Sequence, residues 1–158
     1  MIVEIVKKLG EWIEGENQKL FDGGSLPVER VEIYIIGQTA LLEAELSIEV
    51  AATMDVDCYK ELSFKVSQKF DELLRQGGRH LDLVGHEAWM PEETEYRCLY
   101  ESSVVMLFIA EPVYVILSKA KVAIDKNRNL IIDYLASSDL DERIFNLAVK
   151  YNVDLENL

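Results

Sequence analysis

The chain is poor in the residues that mark several specialised classes. Its 158 residues include two cysteines, Cys58 and Cys98, which make no CxxC pair. A disulfide framework needs more, and a lone bridge is unusual in a reducing compartment. No apolar run is long enough to span a bilayer, because Glu, Lys and Asp interrupt every candidate. The opening segment, "MIVEIVKKLGEWIEGENQKL", has acids and lysines where a secretory signal needs unbroken apolar sequence. The expectation is a cytosolic protein with no membrane attachment. Positive charge is also scarce: 16 Lys and Arg stand against 29 Asp and Glu, a net −13. That excludes a broad electrostatic footprint for DNA or RNA, although it leaves room for a local basic strip. The acidity itself suits ordinary solubility.

Hydrophobic residues make up 49% of the sequence, enough to give one domain of this length a core. Ile2, Val3, Ile5, Val6, Leu9, Trp12 and Ile13 recur at helical spacing, which predicts a helix over residues 2–20. "FDGGSLP" ends it. "RVEIYIIG" is β-branched and apolar and reads as a buried strand, followed at once by helix formers in "QTALLEAEL". "SIEVAAT" is a connector or short strand, and "MDVDCY" the next strand. "LSFKVSQKFDELLRQGG" is an amphipathic helix with Leu62, Val66, Phe70 and Leu73 or Leu74 inward and Gly77 at its end. "RHLDLVG" reads as a third strand, with two more near Glu95–Tyr100 and Val104–Ile109. Glu111 and Pro112 open a helix, and two further helices follow, the last capped by Ser138 or Asp139. There is no repeat, low-complexity tract or linker. The reading is a single α+β domain: an N-terminal helix (1–22), a mixed sheet with helices (30–110) and helical C-terminal residues (111–158).

The stretch "TMDVDCY" sets two acids, Asp55 and Asp57, one residue apart in an apolar run. On a strand both point to one face. Two strand steps of about 3.3 Å put their Cα atoms roughly 6.6 Å apart. Carboxylates so placed can converge on a hard cation, and Mg²⁺ takes one or two of them with water and phosphate oxygens. A solvated strand face would read the same way. Position favours the first reading. About eighteen residues earlier, Gly37 lies between a strand and a helix, where a backbone can come close to phosphate.

The order strand, glycine, helix, then Thr-x-Asp-hydrophobic-Asp on the next strand resembles the nucleotidyltransferase fold. More narrowly, "IIGQTALLEAELSIEVAATMDVDC" resembles small nucleotidyltransferase-like proteins related to abortive-infection toxins, which read roughly "hhGGxALxxxG…RxTxDID". A weaker likeness continues in "AEPVYVILSKAKVAI". The resemblance implies an α+β fold with a nucleotidyltransferase-like mixed sheet. It also implies a nucleoside triphosphate as substrate, with its phosphates at Gly37, Gln38 and Thr39 and within reach of Lys119. Mg²⁺ or Mn²⁺ would be held by Asp55, Asp57 and a third carboxylate, for which Asp82 in "RHLDLVG" is the candidate. The acceptor, a protein or an RNA among the options, is undefined, and a homo-oligomer or an antitoxin partner is implied as well. The chain departs from the pattern at Gln38, where a small residue is usual, at Ala51, where arginine is common, and at Asn127 and Asn129, near the usual aspartates. Those changes leave open a silent member of the fold that acts as a binding or regulatory partner. A purely structural, oligomer-forming domain would show no cleft at Asp55.

His80 and His86 flank Asp82, but too few ligands accompany them for a tetrahedral zinc site. Lys119, Lys121, Lys126 and Arg128 read as a solvated helix face that balances nearby acids, and the resemblance implies that Lys119 alone reaches a phosphate. Trp89 and Tyr96 would line a base pocket, or belong to the core.

Overall fold

A computed structural model describes the whole chain, Met1–Leu158. It begins with α1 (Ile2–Asp22), β1 (Val31–Ile36) and α2 (Gly37–Glu43), then β2 (Asp55–Cys58), α3 (Phe64–Gln76) and β3 (His80–Asp82). A short 3-10 turn (Gly85–Glu87) precedes β4 (Tyr96–Glu101), β5 (Val105–Ala110), α4 (Pro112–Val122), α5 (Arg128–Leu135) and α6 (Arg143–Lys150). The five strands form one mixed sheet in the order β3-β2-β1-β5-β4. β1 runs parallel to β5, and β2 parallel to β3, while β1/β2 and β4/β5 are antiparallel. This is the expected α+β class.

Register decides which side chains share a face. Val105 pairs with Val31, Ile109 with Ile35, Cys58 with Ile35 and Val56 with Leu81, so these alternate residues form one apolar face. α1 lies close on it: a Cβ at Gly10 would sit 3.2 Å from a methyl of Val105. The buried stripe of α1 is Ile2, Val6, Leu9 and Ile13, and that of α3 is Val66, Phe70, Leu73 and Leu74. The helical spacing read from sequence is therefore the spacing that packs. The opposite face carries Ile36, Asp55, Asp57 and Asp82. It also carries Tyr34 and Phe108, stacked with centroids 4.7 Å apart.

Between β3 and β4 the chain crosses from one edge of the sheet to the other. It makes one very close approach: a Cβ on Gly85 would meet Cys58 N at 2.9 Å, Asp57 Cα at 3.1 Å and Cys58 O at 3.1 Å. The C-terminal helices hold the rest of this crossing. Lys150 pairs with Glu93 at 2.8 Å, Arg143 with Glu95 at 2.9 Å, and Trp89 meets Tyr151 edge-on at 5.2 Å. Burial pushes the Cys58 thiol up to about 12, whereas Cys98 is exposed.

Of its two readings, "SIEVAAT" takes the connector and forms no strand. The cap expected for the last helix is corrected. Neither Ser138 nor Asp139 caps α6. Asp139 instead accepts from Ser47 N at 2.7 Å and Ser47 Oγ at 2.5 Å, fastening the connector after α2, and Asp141 accepts from Arg143 N at 3.0 Å at the start of α6. Tyr96 lies edge-on against Tyr34, 4.9 Å between centroids, and belongs to the sheet face rather than to a base pocket with Trp89.

Two glycine substitutions test this packing. Gly85→Ala has only backbone to push against, so it should destabilise the fold by about 1–3 kcal/mol. Gly15→Ala, inside α1 with nothing near its Cβ position, should stabilise it by about 0.5–1 kcal/mol. Urea unfolding followed by circular dichroism measures both.

Candidate functional site

The β2–β3 ladder fixes the site. Asp55 is in register with His80, and Asp57 with Asp82. Parallel in-register neighbours point the same way, so "DVD" and "HLD" place four polar side chains as two cross-strand pairs on one face. His80 Nε2 contacts Asp55 Oδ1, and both side chains keep substantial exposure, 39% and 54%. Asp57 lies beside its register partner Asp82, which raises its proton affinity. The Asp82 Oδ1 atom also accepts from Val84 N at 2.9 Å.

Gly37 stands directly against this second pair. It takes a positive φ of 67°, and a Cβ there would lie 2.6 Å from Asp57 Oδ2. Only glycine accommodates both the conformation and the carboxylate. Burial, the bond to Asp82 and the charges of Asp82 and Asp55 push the Asp57 carboxyl up to about 6, against a smaller opposing pull from Lys119. Asp57 therefore holds its proton to higher pH than a free carboxylate.

A cleft of about 520 Å³ opens beside the pair. Gly37 and Gln38 of α2, Asp55 and Asp57 of β2, Lys119 of α4 and Lys126 from the turn after it form its polar wall. Trp89, Met90, Val115 and Val122 form an apolar one. Burial first, and then the charge of Lys126, lower the proton affinity of Lys119, while Asp57 raises it. The cleft thus combines carboxylates, amines and an apolar surface.

The sequence-derived candidates are distributed as follows. Gly37, Gln38, Asp55, Asp57 and Lys119 come together in the cleft, and Asp82 supports it from behind Asp57. Gln38 does not fill the space. Its Nε2 donates to the Ala51 carbonyl at 2.9 Å, which folds the side chain against the wall. Thr39 is a correction: it is 1% exposed, and its hydroxyl donates to Asp55 O at 2.9 Å, so it holds the strand and cannot meet a phosphate. The three carboxylates are corrected too, because Asp55 turns to His80 while Asp57 turns to Asp82. No group of three or more His, Cys, Asp or Glu side chains is arranged to hold a metal ion. What does fit a hard divalent cation is a carboxylate pair under mutual repulsion with open space beside it, since Mg²⁺ uses one or two carboxylates and fills its remaining positions with water and phosphate oxygens.

Sequence reading missed Arg79. Its guanidinium donates from Nη2 to Thr39 Oγ1 at 2.9 Å, and its Nε is buried without a partner. The available signal was a cation immediately before an apolar strand in "GGRHLDLVG". Lys121 and Arg128, grouped with Lys119 in sequence, do other work: Lys121 donates to Tyr151 O at 3.0 Å and Arg128 pairs with Asp125 at 2.6 Å.

The Asp57–Asp82 contact has a sign that can be tested. Asp57 holds its proton to about 6 when folded and to its ordinary 3.8 when unfolded. Between those values the native state binds more protons, so this group's contribution to stability falls as pH rises and stays low above 6. Asp82→Asn removes the opposing charge. It should raise stability at pH 7.5 by about 1–2 kcal/mol, less than the full shift because the cleft admits water. The gain should vanish near pH 4. Urea unfolding of both proteins at the two pH values measures it, and an Asp82→Asn protein no more stable than wild type at pH 7.5 would contradict the strained pair.

Comparison of the chain with protein-family models, with curated proteins and with solved structures finds no match in any of the three.

Proposed function

We propose that the protein is a metal-dependent nucleotidyltransferase, moving a nucleotide from a nucleoside triphosphate to an acceptor. The observation that carries this reading is the crowded Asp57–Asp82 pair abutting Gly37, at the edge of a cleft that Lys119 and Lys126 also line. The resemblance read in "IIGQTALLEAELSIEVAATMDVDC" points the same way.

The chemistry follows from these groups. Asp57, with Asp82 or Asp55, would hold Mg²⁺ or Mn²⁺. A divalent cation there supplies charge neutralisation at the phosphates and activation of the attacking oxygen. The side chains position the rest. Gly37, lacking a Cβ, lets the triphosphate approach the backbone next to Asp57. Lys119 and Lys126 face it as point charges and stabilise the charge that develops on the phosphate oxygens. Trp89, Val115 and Val122 offer the base an apolar surface. An acceptor oxygen attacks the α-phosphorus, the bond to the oxygen leading to the β-phosphorus breaks, and pyrophosphate leaves with that electron pair. The proton of the acceptor hydroxyl passes to water.

A second reading is a catalytically silent protein of the same fold, acting as a binding or toxin–antitoxin partner. Gln38 supports it: its bond to Ala51 O holds the side chain on the connector and takes one of its two amide donors. So does the failure of the three carboxylates to converge.

The two readings separate in one set of measurements. Thermal unfolding with each nucleoside triphosphate, with and without Mg²⁺ or Mn²⁺, should show a metal-dependent rise in Tm. Incubation with triphosphate labelled at the α-position should give incorporated label matched by released pyrophosphate. Asp57→Asn should reduce transfer by about a hundredfold or more, since one oriented electrostatic contact at such a centre commonly contributes several kcal/mol. A metal-dependent Tm rise with no transfer to any acceptor would favour the silent protein. Neither effect would remove both readings.

A further inference from the structure

We propose that Arg79 is the positioning residue of this site, acting through Thr39 on the strand that carries Asp55 and Asp57. The inference rests on the metal-site reading above and adds a residue that the motif does not contain. One hydrogen-bond chain joins the three elements that hold the site. Arg79 immediately precedes β3. Its Nη2 donates to Thr39 Oγ1 in the first turn of α2 at 2.9 Å, and that hydroxyl donates to the Asp55 carbonyl at the start of β2 at 2.9 Å. Asp82, Gly37 and Asp55–Asp57 are thereby referred to one buried hydroxyl, since Thr39 is 1% exposed.

The fold needs such a brace at this place. β3 is three residues long and forms the edge of the sheet, so it has one ladder and no neighbour beyond. It must nevertheless hold Asp82 against Asp57, two carboxylates that repel. The connector leading to β2 has no strand structure before Asp55. Three ties meet there: Gln38 Nε2 on Ala51 O at 2.9 Å, Thr39 on Asp55 O, and His80 N on Met54 O at 2.9 Å. Arg79 closes this set from the β3 side. The arrangement is not minimal in energy for the arginine, because its Nε is buried with no acceptor. A buried, unpaired donor on a charged group opposes folding. A side chain serving only to fill space would be better apolar, so holding the hydroxyl in place is the gain that sets against the orphaned donor.

The test uses the full chain and Mn²⁺ alone as probe. Bound Mn²⁺ is read from the loss of the free-ion electron paramagnetic resonance signal, and local order from amide hydrogen exchange. Arg79→Met and Thr39→Val should each weaken Mn²⁺ binding by about tenfold, the usual scale for loss of a group that orients a metal ligand. They should also speed exchange at the β3 amides by at least as much. Thr39→Ser, which keeps the hydroxyl, should restore both readouts. Leu9→Ala, a core truncation in α1, should lower Tm and leave Mn²⁺ binding unchanged, which separates positioning from general destabilisation. If Arg79→Met does not fold, Thr39→Val against Thr39→Ser carries the test. Unchanged Mn²⁺ binding in Arg79→Met or in Thr39→Val would overturn the role of the brace while the site stands. A wild-type chain that binds no Mn²⁺ would overturn the site reading and this role with it.

Discussion

Two carboxylates held against each other are the constraint around which this molecule is organised. The parallel register of β2 and β3 puts Asp57 opposite Asp82. Burial of Asp57 then withholds the water that would screen its charge, so its carboxyl gives up its proton less readily beside Asp82. Nothing in the local sequence relieves that repulsion. The surroundings are arranged to tolerate it instead. Gly37 gives up a side chain to make room for Asp57 Oδ2, Gly85 lets the crossing segment lie on the backbone of Asp57 and Cys58, and Lys119 faces the pair without closing on it. A fold selected for stability alone would place Asn at one of these positions. Retaining both acids fits a protein in which a cation or a proton completes the pair.

The elements legible in the sequence are those whose signal is local. Ile2, Val6, Leu9 and Ile13 announce α1 because one helix face repeats regularly, and "VEIYII" announces a buried strand because few other structures tolerate six such residues in a row. That Asp55 and Asp57 share one face was equally readable, since alternation is a property of any strand. What was not readable depends on contacts between distant residues. Whether Asp82 would meet Asp57 or Asp55 is settled by the β2–β3 register, which no spacing within "RHLDLVG" encodes. Thr39 lies two residues after Gly37, which borders the cleft, and only the tertiary arrangement turns its hydroxyl inward to Asp55 O. Asp139 has the composition of a helix cap, yet Ser47 from a remote connector takes its carboxylate. Arg79 offered only a cation ahead of a strand, and its contact with Thr39 comes from the tertiary arrangement.

The C-terminal third bears on the site through its grip on the segment between β3 and β4. Glu93 holds Lys150 and the hydroxyl of Tyr151, and its carboxyl is drawn down to about 2 by those partners. Both groups are at the surface, so the pair contributes little to global stability. Its effect is geometric. With Arg143 on Glu95 and Tyr114, it fixes where Trp89 and Met90 form the apolar wall of the cleft. The helices after the sheet therefore shape the cleft without lining most of it.

The pairing of β1 with β5 has a consequence for how the chain comes to be folded. These two strands are the centre of the sheet, yet β2, β3, β4 and two helices lie between them in sequence. α1 precedes both strands and packs on α3 and, with Gly10 on Val105, on β5. The apolar stripe of α1 is therefore fully covered only once β5 is in place. Folding of this kind is slow to nucleate, because distant segments must meet before either is rewarded. Strong negative charge along the nascent chain, repelling its neighbours, would keep such an intermediate apart from its copies until β5 arrives.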